Sequence, residues 1–406
     1  MIKKIYSFFL IVLVLVTSPF LIRYLLANEK ITILNSIYFN FPGIITKNKK
    51  CPSYDALLKQ KLDDSFSVSI INNKGEIISS YNDEVPRLPA SNQKLFSSAY
   101  VLSKYKLNSN LKTSLLKKNK NNYYLKGQGD PDLNYEHIIE LISNVKENKI
   151  INFNIVEIDS KLYWPNGWTN TDKLYEYGSP ITSLAIESNH NKYEDIYALK
   201  NFIKNYLKNK FPNSKVYIDF FDSEKTFYLK DISEVNKIYS TPILSLLTLT
   251  NSESHNFTAE SLFKNASNTW NDNDYIKLKK WLENKGLPVT NTYFADASGL
   301  SRKNKITTKL VVLFLDKMRY SNDFQAYQSS LAIMGVRGTL AKRFVNSELS
   351  GKFFGKTGTL SNVFALSGFL YKNEKPIIVS IIQNSNNIDK EKTFKLLNDV
   401  YHLKSC

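Results

Sequence analysis

The chain has 406 residues, 43% of them hydrophobic and 13% aromatic, which is enough for a large core and two or three domains and excludes a disordered polymer. Its formal net charge is +17. The lysines are spread among Asn and Tyr without a dense basic run or a nucleic-acid-binding motif, so the charge is read as a basic solvated surface and no nucleic-acid partner is expected.

The chain opens "MIKKIYSFFLIVLVLVTSPFLIRYLLANEK". Lys3 and Lys4 precede an uncharged apolar stretch from Ile5 to Ile22, and Arg23 follows. This is the pattern of an export signal or a retained membrane anchor, assigned to residues 1–28. Either way the remainder is delivered across a membrane, to a periplasmic or outer-face location. The chain has two cysteines, Cys51 and Cys406, and an exported protein can bridge them or keep both as thiols. Four histidines without an HxxxH pair, and no CxxC, give no metal site; no cofactor is expected.

"SFSVSIINNKGEIISSY" alternates apolar and polar residues on both sides of Asn72-Asn73-Lys74-Gly75 and predicts a β-hairpin. After Pro89 the period changes: Leu95, Ala99 and Leu102 share a helical face, which places Ser91 in the first turn of a helix. From 111 to 240 short strand-like runs ("NNYYLKGQGDPDL", "NFNIVEID", "SKVYIDFFD") alternate with turns and read as an inserted β-rich accessory domain with a helix or two. From 241 the pattern is helical, with "FTAESLFKNAS" and "NDYIKLKKWLENKG" amphipathic. Three strands ("KFFGKTGTL", "NVFALSGFLY", "KPIIVSIIQN") and a last helix, "KEKTFKLLNDVYHL", complete it. The expected fold is therefore an α/β (α+β) domain made from 50–110 and 241–406, an antiparallel sheet flanked by helices, interrupted by the 111–240 insertion.

Ser91 and Lys94 stand three residues apart, within reach of one another on a helix. A neutral lysine amine there can take the serine proton, and the positive helix end favours the alkoxide. The spacing alone is weak, since Ser103/Lys106, Ser109/Lys112, Ser114/Lys117, Ser143/Lys146 and Ser261/Lys264 share it. The context separates Ser91 from these. Ser254-His255-Asn256 comes at the start of an amphipathic helix and Lys356-Thr357-Gly358 on a strand, completing the SxxK, SxN and KTG set in order. A serine acyl-transfer site needs a base, a proton return to the leaving amine, an oxyanion hole and a clamp. Ser254 can relay the proton, and the Asn256 amide can hold Lys94 and the substrate peptide bond. Lys356 and Thr357 suit a substrate carboxylate. Gly358 lets the strand approach closely, and the Thr359 and Ser91 N–H groups suit an oxyanion.

The blocks "PASNQKL", "GQGDPDL", "GWTNTD", "ESHNFTAESLF", "DASGLSRKN", "MGVRGTL" and "GKTGTLSNVFALSGFL", in order from about Leu62 to Asn384, resemble the D-alanyl-D-alanine carboxypeptidases and endopeptidases of the penicillin-binding-protein-4 type, the class C low-molecular-mass group. The resemblance implies a penicillin-recognising, β-lactamase-like domain with another domain inserted between the first two motifs. It implies peptidoglycan stem peptides ending in or cross-linked through D-Ala as substrates, and β-lactams as covalent inhibitors. It further implies that Asp172 in "GWTNTD" meets the amino group of the stem peptide's diamino acid and that Arg302 in "GLSRKN" lines the substrate cleft. His255 departs from the Asp common at the centre of the second motif, and the insertion is short for the family. A β-lactamase shares the motifs, but no ExxxN-type deacylation glutamate stands in a convincing place; a non-catalytic envelope scaffold would have no need of Ser91, Lys94, Ser254, Asn256 and Lys356 together.

Overall fold

The computed structural model describes residues 49–404 apart from 191–195, 223–230, 271–274, 373 and 375. The N-terminal signal or anchor and Cys406 therefore lie outside the described residues. Among the described residues no helix is long and apolar enough to cross a membrane. Cys51 is fully buried and takes part in a disulfide.

One sheet carries the strand with the Lys356-Thr357-Gly358 motif. Its elements are β1 (Phe66–Ile71), β2 (Ile77–Tyr81), β8 (Ala332–Ile333), β9 (Phe353–Leu360), β10 (Val363–Leu370) and β11 (Ile377–Asn384), in the order β2-β1-β11-β10-β9-β8 with antiparallel pairing throughout. The β1–β2 hairpin is the one expected around Asn72–Gly75, and Gly75 there has φ +84°, a conformation glycine adopts without strain. Helices cover both faces, which is why strands such as "VFALSGFL" are buried at every position. Side chains alternate between two cores. Phe66, Val68, Ile70, Leu366 and Ile381 pack with α1 (Pro52–Lys61) and α10 (Lys390–His402). Ile71, Ala365, Phe369, Ile378 and Ile382 pack with α2 (Lys94–Leu102), α5 (Ile243–Ser252), α6 (Asn256–Ser267), α7 (Tyr275–Asn284), α8 (Thr308–Met318) and α9 (Phe324–Ser330).

Between α2 and α5 the chain builds a second sheet from β3 (Asn110–Lys117), β4 (Asn122–Lys126), β5 (Ile150–Glu157), β6 (Lys215–Asp222) and β7 (Ser233–Pro242), ordered β6-β5-β4-β3-β7. β4, β5 and β6 run parallel, so each step between them needs a crossover, supplied by α3 (Tyr135–Ile142) and α4 (Ile196–Lys210). Asn134 caps α3 by accepting from the His137 N–H at 3.0 Å. Ile138, Leu141, Leu199 and Ile203 then pack on Leu125, Ile151, Phe153 and Ile218 as a separate core. Of "NNYYLKGQGDPDL" only Asn122–Lys126 is strand; the remainder leads as turns into that helix.

Candidate active site

Ser91 does not lie inside an α-helix as its spacing suggested. It sits in a 3₁₀ turn, Ala90–Gln93, from which α2 starts at Lys94. The tighter turn eclipses residues three apart, so the two side chains still meet. Ala90, the residue before Ser91, has φ +46°, a strained conformation for a residue with a Cβ, and Ser254 has φ +66°. Strain thus falls beside the first motif and within the second.

Lys94 is fully buried and its amine has three oxygen neighbours. Nζ lies 3.1 Å from Ser91 Oγ, 2.5 Å from Asn256 Oδ1 and 2.7 Å from the Ser298 carbonyl oxygen. The Asn256 amide orientation is fixed from its other end, because Nδ2 donates to the Tyr177 carbonyl at 2.8 Å. Asn256 Oδ1 and Ser298 O can only accept. A neutral amine spends its two N–H bonds on them and turns its lone pair to Ser91. Burial favours that neutral form and brings the Lys94 pKa down to about 7, against an upward pull from Asp296 and Glu260.

Those two carboxylates build the loop that supplies the Ser298 carbonyl. Glu260, on α6 and fully buried, accepts from the Ala297 and Ser298 N–H groups at 3.0 and 2.7 Å and from the Tyr275 hydroxyl at 2.8 Å. Burial and then the neighbouring Asp296 charge push its pKa up to about 7. Asp296 accepts from the N–H groups of Gly299 (2.8 Å) and Ser301 (2.6 Å), from Asn304 Nδ2 (2.7 Å) and from Trp168 Nε1 (2.9 Å). Gly299 has φ +87°, and a Cβ there would fall 1.8 Å from the Ala90 carbonyl oxygen, so the loop presses on the Ser91 turn only because this residue is glycine.

β9 closes the opposite side. Asn92 Nδ2 donates to the Lys356 carbonyl at 2.9 Å, tying the turn to the strand. A Cβ on Gly358 would stand 2.8 Å from the Pro89 carbonyl and 3.0 Å from the Ser91 nitrogen. The strand therefore runs against the backbone of Ser91, with Thr359 next in line and exposed. β8 pairs with β9 only through Phe354 and Gly355. Lys356 is fully buried, with Nζ donating to the Thr357 carbonyl at 3.0 Å. Burial, and then the charge of Lys94, depress its pKa well below the ordinary lysine value. A carboxylate arriving beside it would draw it back to the charged form. The Thr357 hydroxyl lies 2.8 Å from that of Thr339, in the "MGVRGTL" block.

The structure also brings Asp172 and Arg302 together, but as partners of each other. Arg302 Nη2 lies 3.3 Å from Asp172 Oδ1, and Asp172 Oδ2 accepts from the Thr169 N–H and hydroxyl. Asp172 opens the pair of short 3₁₀ turns that ends at Gly178 and places the Tyr177 carbonyl on Asn256. Ser254 is half-buried, and His255 is the N-cap of α6, with its Nδ1 accepting from the Thr258 N–H. Sequence reasoning passed over Ser298, Glu260, Asp296 and Tyr177. Ser298 and Tyr177 act through backbone carbonyls, which carry no residue signature; Glu260 and Asp296 stood inside quoted blocks without an assigned task.

Among known proteins, the model of the D-Ala-D-Ala carboxypeptidase 3 (S13) family matches residues 55–202 and 223–400. The chain is 24% identical to the D-alanyl-D-alanine carboxypeptidase DacB of Haemophilus influenzae, over 83% of this chain and 90% of that protein. The crystal structure of penicillin binding protein 4 from the same organism superposes with a TM-score of 0.67 at 20% identity, covering 86% of this chain and 99% of the other. A predatory peptidoglycan endopeptidase from Bdellovibrio bacteriovorus superposes with a TM-score of 0.56 at 15% identity, covering 82% and 90%.

Proposed function

From the premise that the chain belongs to the D-Ala-D-Ala carboxypeptidase 3 (S13) family, we propose that Ser91 is the nucleophile with which it cleaves peptidoglycan stem peptides at D-alanine. The protein is a serine-type D-Ala-D-Ala carboxypeptidase, a hydrolase of the cell envelope that β-lactams acylate. The observation that carries the residue assignment is the Lys94 amine, buried, with two neighbours that only accept and its third facing Ser91.

In acylation Ser91 Oγ attacks the carbonyl of the penultimate D-alanine while Lys94 takes the hydroxyl proton. The oxyanion is received by the N–H groups of Ser91 and Thr359. Ser254 passes a proton to the leaving nitrogen as the C–N bond breaks, and D-alanine departs as an amine. Water then attacks the ester, with Lys94 again the base, and releases the shortened peptide. Asn256 holds Lys94 and the substrate's amide, and Lys356 with Thr357 holds its terminal carboxylate. Gly358 keeps the strand within reach. Asp172 receives the amino group of the third stem residue in competition with Arg302, which lines the cleft. The 111–240 segment is an accessory domain, and residues 1–28 deliver the protein to the periplasm or tether it to the outer face of the inner membrane.

Release of D-alanine from a stem pentapeptide tests this reading. The parent protein should liberate one equivalent per peptide, and Ser91→Ala should lose at least ~10³-fold in rate. Equal rates in the two proteins would remove Ser91 from the chemistry.

A further inference from the structure

The second motif is held from outside by a histidine to which neither the sequence nor the reaction assigns a task. His255, between Ser254 and Asn256, caps α6: its Nδ1 accepts from the Thr258 N–H at 3.4 Å and lies 2.7 Å from the Thr258 hydroxyl. A ring nitrogen that accepts carries no hydrogen, so the neutral ring bears its proton on Nε2. That Nε2 lies 3.1 Å from Nε2 of His190, with the two rings inclined at 65°. His255 therefore donates and His190 accepts.

The placement of His190 is built rather than incidental. Glu187, Ser188 and Asn189 all have positive φ (46°, 59° and 56°), three consecutive strained residues with side chains. Neighbouring groups hold that turn in place. Ser188 Oγ donates to the Pro131 carbonyl at 3.0 Å, Asn189 Nδ2 to the Pro180 carbonyl at 2.7 Å, and the Glu187 N–H to the Leu133 carbonyl at 2.7 Å. Backbone strain kept by surrounding contacts marks a position the fold over-determines.

We propose that His190 is a positioning residue for the Ser91 reaction: by accepting from His255 it fixes the capping ring and, through it, Ser254 and Asn256 on either side. With the Tyr177 carbonyl on Asn256, the 177–190 segment grips two consecutive residues of the motif. The inference rests on the reading that this motif serves acylation of Ser91. The groups facing the pair are Asp132 and Glu187, on the wall of a cavity of about 360 Å³ that the two rings share, and Lys94 from α2. Burial, with the charges of His190 and Lys94, holds the His255 pKa down to about 4, so that ring stays neutral.

The test is a double-mutant cycle on the full chain, read as the second-order rate constant of benzylpenicillin acylation. His190→Ala should slow acylation ~10-fold at pH 8 in the parent, and less than ~2-fold in a His255→Asp background, where the cap survives but the reach to residue 190 does not. Equal deficits in both backgrounds, or no deficit in the parent, would overturn the proposal. Nitrogen-15 histidine spectra of the resting protein read the bond without turnover. His255 should be the Nε2–H tautomer in the parent, with its Nε2 resonance shifted in His190→Ala. An Nδ1–H tautomer would overturn the proposal, whereas failure of the parent to acylate would count against the Ser91 reading alone.

Discussion

Lys94 Nζ lies 2.7 Å from the carbonyl oxygen of Ser298, a residue 204 positions away, and that contact sets how the amine is held. The carbonyl is aimed by Glu260, which takes the Ser298 N–H on the other side of the same residue. The basicity of Lys94 and the shape of the 296–304 loop thus share one buried carboxylate.

Acylation should follow the neutral fraction of Lys94. With its pKa near 7, the rate constant for benzylpenicillin should rise with pH through about 7 and fall on the acid side as the amine is protonated and ceases to be a base. Glu260→Gln removes a charge that raises that pKa, so the midpoint of the acid limb should move to lower pH; pH–rate profiles of the two proteins, taken over the range in which both stay folded, check the sign.

Gly358→Ala should leave the fold and damage the chemistry. The added methyl meets the Pro89 carbonyl, the Ala90 side chain and the Ser91 nitrogen at 2.8–3.0 Å, so β9 must back away from the Ser91 N–H. A displacement of that kind should cost ~10- to 100-fold in acylation with a thermal midpoint that falls by only a few degrees. Stopped-flow acylation beside a melting curve separates the two effects.

Asp172→Ala should act on recognition. For a stem peptide with a free amino group on its third residue, KM should rise ~10-fold while kcat changes little, the loss expected when a charged contact is removed. With that amino group acetylated, the parent and Asp172→Ala should converge. An undiminished gap between them would mean that Asp172 serves only to place Arg302 and the 172–178 turns.

The three motifs were legible from their order along the chain and from the local setting of each. Ser91 follows Pro89 at the hairpin-to-helix switch, Asn256 opens an amphipathic helix, and Lys356 lies on a strand. The competing SxxK spacings lacked that context. Ser114 and Lys117, for example, fall on β3, where residues three apart point to opposite faces. The network around Lys94 was less legible for a physical reason. Ser298 and Tyr177 contribute carbonyls, and His190 meets His255 only through a turn whose three left-handed residues include no glycine. The parallel order of β4, β5 and β6 was hidden as well, since short alternating strands read alike whether their neighbours run with them or against them.

The measurement that bears most directly on the central claim is the intact mass of the protein, truncated before about residue 28, followed for hours after addition of benzylpenicillin, with Ser91→Ala alongside. A persistent adduct of one intact benzylpenicillin on the parent, absent from the variant, is the predicted result. An unmodified parent mass with no loss of penicillin from the tube, or an adduct on Ser91→Ala, would contradict it; an unmodified mass with penicillin consumed would make the protein a β-lactamase.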